Sequence, residues 1–181
     1  MRVIAGSLKG RRLACPKGDA IRPTTDKVKE AMFGALQFYL PGTVVLDAFA
    51  GSGALGIEAL SRGAAHADFV ELSAEHIKTL RQNLEPVPKG SYTVFKGDVI
   101  KLMPRLGKYD LVLMDPPYDA DIYESFLISA DKAGILKDGS KVVMECRAAF
   151  DFILPPKYNL NKKKIYGDIS LWFLEYGVCY D

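Results

Sequence analysis

The fold is decided at residues 47–56, Asp47-Ala48-Phe49-Ala50-Gly51-Ser52-Gly53-Ala54-Leu55-Gly56. An apolar run, 43–47, precedes the glycines and an amphipathic run, 53–62, follows them, so the segment predicts a tight turn from a β-strand into an α-helix. Glycines permit such a turn and let a ligand approach the backbone closely. They also match the Gly-x-Gly-x-x-Gly spacing of dinucleotide-binding folds, although a sharp turn without a ligand can share it.

Short apolar segments alternate with amphipathic ones on both sides of this turn. The apolar segments have the length of buried strands, and the amphipathic ones repeat apolar residues at helical spacing. This alternation predicts an α/β fold, in which a parallel sheet carries helices on both faces. The predicted strands are 43–47, 67–71, 92–95, 109–114 and 141–145, and the predicted helices are 53–62, 74–84, 123–133 and a short one that begins near Asp98.

The pattern changes after Pro155-Pro156. Residues 162–166 and 169–175 predict two further strands, and Gly167-Asp168 between them is typical of an antiparallel hairpin turn. We expect this hairpin at the edge of the sheet. The predicted fold is therefore Rossmann-like, with a mostly parallel seven-stranded sheet that ends in a C-terminal antiparallel hairpin.

A short segment precedes this core. Residues 2–5 and 11–14 flank a glycine-containing turn and predict a small hairpin. Thr25 or Asp26 can cap a helix that follows, and Pro41-Gly42 ends that helix. We therefore expect a hairpin and a helix ahead of the first strand of the sheet.

We expect one compact domain made of an N-terminal extension, residues 1–40, and an α/β core, residues 41–181. The net charge is only +2, but residues 1–30 hold eight Lys and Arg against three acids. This basic extension on a slightly acidic core indicates a partner such as nucleic acid, and a solvated basic surface is the alternative. The candidate nucleic-acid contacts are Arg2, Lys9, Arg11, Arg12, Arg22 and Thr24.

The remaining composition argues against several other classes. Cys15, Cys146 and Cys179 are scattered without metal-ligand spacing, which indicates reduced thiols in a cytoplasmic protein and no metal site. His66 and His76 are isolated and fit structural or surface roles. No apolar run approaches membrane-spanning length, and no secretory signal is visible.

Glu71 strengthens the prediction of a ligand at the glycine-rich turn. It ends the second predicted strand, 20 residues after Gly51, where a carboxylate can bind both hydroxyls of a ribose. The two features together predict a nucleoside-type cofactor. Asp47 narrows the choice, because a carboxylate before the glycines suits an ammonium group or a cationic sulfur, as in S-adenosylmethionine, rather than a pyrophosphate.

Asp98 ends the third predicted strand. Its carboxylate can accept a hydrogen bond from an adenine amino group, cap the helix that follows, or do both. Asp47, Glu71, Asp98 and Asp115 thus all fall at the carboxyl ends of strands, the edge where open α/β sheets bind ligands. The candidate cofactor-binding residues are Asp47, Phe49, Ala50, Gly51, Ser52, Gly53, Glu71, Leu72, Asp98 and Val99.

Asp115-Pro116-Pro117-Tyr118, which follows the fourth strand, has the chemistry of an amine-binding site. The carboxylate and a backbone carbonyl can accept hydrogen bonds from the exocyclic amine of a base, and the prolines have no N–H to compete for it. Tyr118 offers a ring on which the base can stack. These four candidate catalytic residues indicate methylation of a nucleobase nitrogen, while the tetrapeptide alone is also compatible with a rigid turn.

Several motifs together match one known family over nearly the whole chain. They are Gly6…Lys9-Gly10-Arg11-Arg12-Leu13, Arg22-Pro23-Thr24, Asp47 to Gly53, Gly56 to Ala64, Asp115 to Tyr118 and Tyr166-Gly167. In these motifs the chain resembles the RsmD family of bacterial 16S rRNA (guanine-N2)-methyltransferases. The resemblance implies a class I S-adenosylmethionine-dependent methyltransferase fold, S-adenosylmethionine as cofactor, and methylation of a guanine in small-subunit ribosomal RNA.

Other functions remain open alternatives. A DNA adenine amino-methyltransferase shares the Asp-Pro-Pro-Tyr motif, and a nicotinamide-dependent oxidoreductase shares the glycine spacing. A non-catalytic RNA-binding assembly factor could retain the fold. Because only the short extension and the final hairpin lie outside the parallel part of the core, we expect a target presented by structured RNA, within an assembled small-subunit particle. We take a monomer as the default, and the proposed chemistry requires no metal.

Overall fold

The computed structural model describes residues 1–16, 26–117 and 121–177. Seven strands form one sheet, and helices cover both of its faces. The strands are β1 Val44–Asp47, β2 His66–Glu71, β3 Tyr92–Lys96, β4 Tyr109–Met114, β5 Leu136–Arg147, β6 Tyr158–Tyr166 and β7 Ile169–Tyr176. The helices are α1 Asp26–Leu36, α2 Ala54–Ser61, α3 Ala74–Leu84, α4 Val99–Leu102 and α5 Asp121–Ala133, with a 3-10 turn, Met103–Arg105, after α4.

The strand order in the sheet is β3-β2-β1-β4-β5-β7-β6. The first five strands in this order, β3, β2, β1, β4 and β5, pair in parallel, whereas β7 runs antiparallel to both β5 and β6. The chain proceeds outward from β1 to β3 and then returns to β4 on the other side of β1. The carboxyl ends of β1 and β4 therefore border the crevice where open α/β sheets bind ligands. This arrangement confirms the predicted fold class, including the C-terminal antiparallel hairpin.

Each face of the sheet has its own apolar cluster. Met32 and Phe33 of α1 pack with residues of α2 and α3 on one side, which we call the α1 face. Phe126 and its neighbours on α5 pack with α4 on the other side, the α5 face. Val45 of β1 contributes to the first cluster and Leu46 to the second, so the central strands are apolar on both faces, as parallel strands between two helical layers must be.

The N-terminal extension packs on the α1 face. The Val3 N–H donates to the Arg11 carbonyl at 2.9 Å, and the Gly10 N–H donates to the Val3 carbonyl at 2.9 Å. An isolated antiparallel bridge joins Arg2 and Arg12. The predicted hairpin is thus present as a single bridge rather than as two regular strands.

Glu58 of α2 fixes this extension to the core. Its side chain is fully buried and accepts the backbone N–H groups of Ile4 at 2.8 Å and Ala5 at 3.1 Å. Its two oxygens also meet Lys29 Nζ at 3.1 Å and Arg62 Nε at 2.7 Å. Two cations and two N–H donors therefore offset the cost of burying one carboxylate.

Strands β5 and β6 begin earlier than the sequence pattern predicts. Leu136 pairs with Tyr109 and Lys141 pairs with Leu111, so residues 137–140 bulge out of the ladder, and their polar side chains conceal the start of β5. A similar shift interrupts β6 between Leu160 and Lys162. In the described parts of the chain, no helix combines the length and the apolarity that crossing a bilayer requires.

Candidate active site

A cavity of about 1030 Å³ opens at the carboxyl edge of the parallel strands. The acids Asp47, Glu71, Asp98 and Asp115, which end or follow four strands, all line it. The structure therefore brings together the four carboxylates that the sequence placed at this edge. A cavity with this many acids favours a ligand that carries positive charge and hydroxyl or amino donors.

Nine of the ten candidate cofactor residues line this cavity, and Gly53 does not. Gly53 is buried behind the turn with φ +81°, and an added Cβ would lie 2.3 Å from Leu80 Cδ1. Its position therefore serves the turn and the close packing of α2 against α3. The neighbouring loop is held by backbone bonds, from the Ala48 N–H to Leu113 O at 3.0 Å and from the Ala50 N–H to Val70 O at 2.9 Å.

Glu71 is oriented by backbone donors on both sides. Its Oε2 accepts the Gly51 N–H at 2.7 Å, and its Oε1 accepts the Ser73 N–H at 2.7 Å. His76 Nδ1 lies 3.7 Å from Oε1. A carboxylate has about four acceptor positions, so both oxygens retain capacity for a ligand's hydroxyls. Glu71 thus connects the glycine-rich turn to the cavity, a contact that the sequence did not predict.

Asp47 lies deeper than the sequence suggested. It is 1% exposed, and its Oδ2 accepts the Gly56 N–H at 2.8 Å, which fixes the first turn of α2. Burial, and then the nearby charges of Asp115 and Glu71, raise the pKa of Asp47 to about 7 against the opposing effect of the Gly56 hydrogen bond. A cationic ligand in the cavity would favour the ionised form of this carboxyl group.

Asp98 caps α4, as one of its two predicted roles requires. Its Oδ1 accepts the Lys101 N–H at 3.1 Å, and its backbone is extended, with φ −71° and ψ 125°. The residue still lines the cavity, beside Val99. The hydrogen bond to the helix fixes where the carboxylate points, so capping and ligand binding are compatible.

The Asp-Pro-Pro segment leaves β4 directly into the cavity. Asp115 is half-buried and Pro117 is exposed, and both line the cavity, whereas Pro116 is buried beneath them. Tyr118 lies outside the described residues. The predicted cofactor-binding residues and Asp115 thus line one cavity, as direct group transfer between two bound molecules requires.

The sequence did not predict that the N-terminal extension also forms part of the cavity wall. Met1, Cys15, Pro16, Asp26 and Lys29 all line it. The buried Lys29 ammonium, which also donates to the Arg2 carbonyl, has a pKa lowered by burial and partly restored by Glu58. These side chains occur in ordinary surface-like patterns, so no local signal identifies them.

Asn83 joins the extension to the glycine-rich turn. Its Oδ1 accepts the Ala14 N–H at 2.8 Å, and its Nδ2 donates to Ala14 O at 3.0 Å and to Ser52 O at 2.8 Å. The side chain is buried beside Leu80 and Leu84 on the apolar side of α3. A polar residue on that side is the one sequence signal that could have revealed this contact.

The described candidate nucleic-acid contacts lie on the exposed side of the extension. Lys9, Arg11 and Arg12 are exposed, and the Arg2 side chain is 63% exposed and bonds Asp26 at 3.0 Å through Nε. Arg22 and Thr24 lie outside the described residues. Within residues 1–16, 26–117 and 121–177, no group of three or more His, Cys, Asp or Glu has a geometry that could hold a metal ion.

Comparisons with known proteins identify close relatives. A family profile described as "Conserved hypothetical protein 95" matches residues 1–175. "Ribosomal RNA small subunit methyltransferase D" of Escherichia coli strain K12 is 31% identical over 172 residues, which cover 94% of this chain and 87% of that protein. "Putative rRNA methyltransferase YlbH" of Bacillus subtilis is 39% identical over 150 residues, which cover 80% of this chain and 82% of the relative.

A solved structure agrees with this similarity. The Escherichia coli protein named "Putative methyltransferase yhhF" superimposes with a TM-score of 0.88 at 31% identity, over 97% of each chain. The similarity therefore extends through the N-terminal extension as well as the core.

Proposed function

The chain belongs to the RsmD family of ribosomal RNA methyltransferases, and on that premise we propose that it transfers a methyl group from S-adenosylmethionine to the exocyclic N2 amine of a guanine in 16S ribosomal RNA. One observation carries the proposal. The acids at the donor end, Asp47, Glu71 and Asp98, and the acid at the acceptor end, Asp115, line the same cavity. Group transfer in line requires reacting atoms about 3–3.5 Å apart, and a shared cavity permits this.

The residues present fit S-adenosylmethionine, which supplies an electrophilic methyl group on a cationic sulfur. Glu71 has acceptor capacity for the ribose hydroxyls, and Asp98 accepts from the adenine amino group. Asp47 provides negative charge for the cationic end of the cofactor. Leu72 and Val99, apolar residues of the same wall, would flank the adenine.

The acceptor end positions the guanine amine. An exocyclic amine is a weak nucleophile because its lone pair is delocalised into the ring. Hydrogen bonds from its N–H groups to Asp115 and to the Pro116 carbonyl hold the nitrogen and favour its rehybridisation, and the Asp115 charge stabilises the positive charge that develops on it. We assign Tyr118 to stacking on the base, which must first leave its helix at a cost of roughly a few kcal/mol.

The N-terminal extension, residues 1–40, provides the basic surface that binds the RNA, while the core, residues 41–181, carries the chemistry. Arg2, Lys9, Arg11, Arg12, Arg22 and Thr24 are the proposed contacts. The exposure of the described cations supports phosphate binding, which depends on solvated, mobile charges. The proposed substrate is an assembled small-subunit particle, and the proposed enzyme is a cytoplasmic monomer.

Transfer of radiolabelled methyl tests this function directly. The protein is incubated with labelled S-adenosylmethionine and with ribosomal RNA, free or in small-subunit particles, or with DNA, and the modified base is identified by mass spectrometry. We expect labelled N2-methylguanine in the small-subunit RNA, and Asp115→Ala serves as the matched inactive control. Label in DNA adenine would instead identify a DNA adenine amino-methyltransferase. Nicotinamide-dependent oxidation without methyl transfer would identify an oxidoreductase.

A further inference from the structure

The edge strand β6 carries a row of lysines outside the N-terminal extension. Lys162, Lys163 and Lys164 are consecutive in its second half, where Lys162 and Lys163 are exposed and Lys164 is half-exposed. Because β6 is the last strand in the sheet order, one of its sides faces no neighbouring strand in the described sheet. These cations therefore project from an open edge of the protein.

The register separates the three lysines between the two faces of the sheet. Lys162 pairs with Phe173 and Lys164 pairs with Leu171, two β7 residues that belong to the apolar cluster on the α1 face. Directly paired residues of antiparallel strands project from the same face. Lys162 and Lys164 consequently lie on the face of the sheet that also carries the N-terminal extension.

Lys163 projects to the other face and has a structural role. Its Nζ lies 4.2 Å from the centre of the Trp172 ring and donates to the Phe150 carbonyl at 3.3 Å. By contrast, neither Lys162 nor Lys164 forms an ion pair with any residue in the described parts of the chain. The two cations on the α1 face are thus available to an anionic partner.

The same register places Lys164 level with Asp115, the first residue of the Asp-Pro-Pro segment. Met114 pairs with Met144 in parallel, so Asp115 and Glu145 follow together. Glu145 pairs with Leu171, which pairs with Lys164. Three interstrand spacings of about 4.8 Å separate Asp115 from Lys164, or roughly 14 Å. Each strand of a B-form duplex presents a phosphate about every 3.4 Å of the helix axis, so this distance spans only a few nucleotides.

The extension and β6 lie on opposite sides of the catalytic segment. The extension is bonded to α2 and α3 through Glu58 and Asn83, and these helices pack over β1 and β2. The β6 strand lies beyond β5 and β7 at the other edge. We propose that Lys162 and Lys164 bind backbone phosphates of the RNA substrate on this second side, so that the RNA is held on both sides of Asp115. This inference rests on the proposed function.

The test compares parent protein with the double variant Lys162→Gln/Lys164→Gln. Each side chain keeps its polarity and loses its charge. Affinity for small-subunit ribosomal RNA is measured as a function of salt concentration, together with calorimetric affinity for S-adenosylmethionine. Loss of two phosphate contacts should weaken RNA binding roughly ten-fold and reduce the slope of log affinity against log salt by about 2. Cofactor affinity should stay unchanged.

The matched control is Lys89→Gln/Lys108→Gln, which removes two exposed lysines just before β3 and β4, at the amino ends of the parallel strands and so away from the cavity at their carboxyl ends. It should bind RNA as the parent does. If the β6 variant also keeps the parental affinity and slope, β6 does not contact RNA. If it loses binding to the assembled particle but not to free RNA, the contact is with ribosomal protein and the RNA assignment is wrong. A parent protein that transfers no methyl to ribosomal RNA would instead refute the proposed function.

Discussion

The glycine-rich turn and the N-terminal extension border the same cavity but are built in opposite ways. At the turn, the acids are withdrawn from solvent and oriented by backbone donors, Asp47 by the Gly56 N–H and Glu71 by the Gly51 N–H. In the extension, the cations Arg2, Lys9, Arg11 and Arg12 remain in solvent. The buried Lys29 is the exception, and it pairs with Glu58, the buried acid of the core that holds the extension.

This difference follows from what each region must bind. A small cofactor has one bound geometry, and small displacements of its partners reduce the rate of transfer. A phosphate backbone offers many equivalent oxygens, which long solvated side chains reach in many conformations. We therefore expect substitutions at buried acids to have large effects and substitutions at exposed cations to have smaller, salt-dependent effects.

Glu58→Ala should have the largest effect. The substitution leaves the buried Lys29 ammonium and the Ile4 and Ala5 N–H groups without their acceptor. Removing one partner of a buried ion pair costs about 3–5 kcal/mol, so the free energy of unfolding should fall by that amount in urea titrations. Glu85→Ala, an exposed acid after α3, should change it by less than about 0.5 kcal/mol. Equal stabilities would show that Glu58 does not hold the extension.

Asp115→Ala should affect the chemical step. The amine loses its charged acceptor, so single-turnover transfer at saturating substrate should slow by about 10²–10³-fold while S-adenosylmethionine affinity stays nearly constant. Asp115→Asn keeps the size and one carbonyl acceptor and should retain partial activity. If Asp115→Ala transferred methyl at the parental rate, the Asp-Pro-Pro segment would be a rigid turn without a catalytic role.

Glu71→Ala should weaken cofactor binding by about 1.5–3 kcal/mol, because the ribose hydroxyls lose a charged acceptor. The variant also frees the Gly51 and Ser73 N–H groups. Glu71→Gln is the sharper comparison, because it keeps the size and an acceptor oxygen for one of these two donors while it removes the charge. Calorimetric titration with S-adenosylmethionine measures both. Unchanged affinity in both variants would place the ribose elsewhere.

Arg11→Glu/Arg12→Glu should weaken RNA binding and flatten its salt dependence, with the slope reduced by at least about 2. Both side chains are exposed, so cofactor affinity and stability should match the parent. Lys89→Glu/Lys108→Glu provides the same charge change at the amino ends of the parallel strands. Binding titrations at several salt concentrations decide the matter, and equal slopes in the two variants would leave the extension without a specific role in RNA binding.

The smallest expected effect is the change of S-adenosylmethionine affinity with pH. The pKa of Asp47 is about 7, above its ordinary value near 3.8, so the folded protein holds a proton between about pH 4 and 7 that the unfolded chain releases. Asp47 therefore reduces stability as pH rises through that window. A bound cation favours the ionised form, so S-adenosylmethionine affinity should rise by at most about ten-fold per pH unit up to pH 7. The measurement is calorimetric titration with S-adenosylmethionine between pH 6 and pH 7. In Asp47→Asn, the part of the rise in affinity that residue 47 causes should be absent.

The sheet and the glycine-rich turn could be predicted because their signals are local. Buried strands between helical layers are apolar on both faces, and each of the four acids stands at the end of a strand or within two residues after it. Glu58, Lys29 and Asn83 could not be predicted, because their partners, apart from Arg62 beside Glu58, lie 27 to 69 residues away along the chain and become neighbours only in the fold. The early start of β5 could not be predicted from the sequence either, because residues 137–140 bulge out of the ladder between β4 and β5.

The open side of β6 has a consequence for how the protein behaves in concentrated solution. An unpaired strand exposes backbone N–H and C=O groups that can recruit a strand from another molecule, and lysines and local irregularities are the usual protection against such pairing. Strand β6 has both, a lysine triplet and a register shift between Leu160 and Lys162. The same charges that we assign to phosphate binding therefore also oppose self-association, and light scattering should show more aggregation of Lys162→Gln/Lys164→Gln than of the parent on heating.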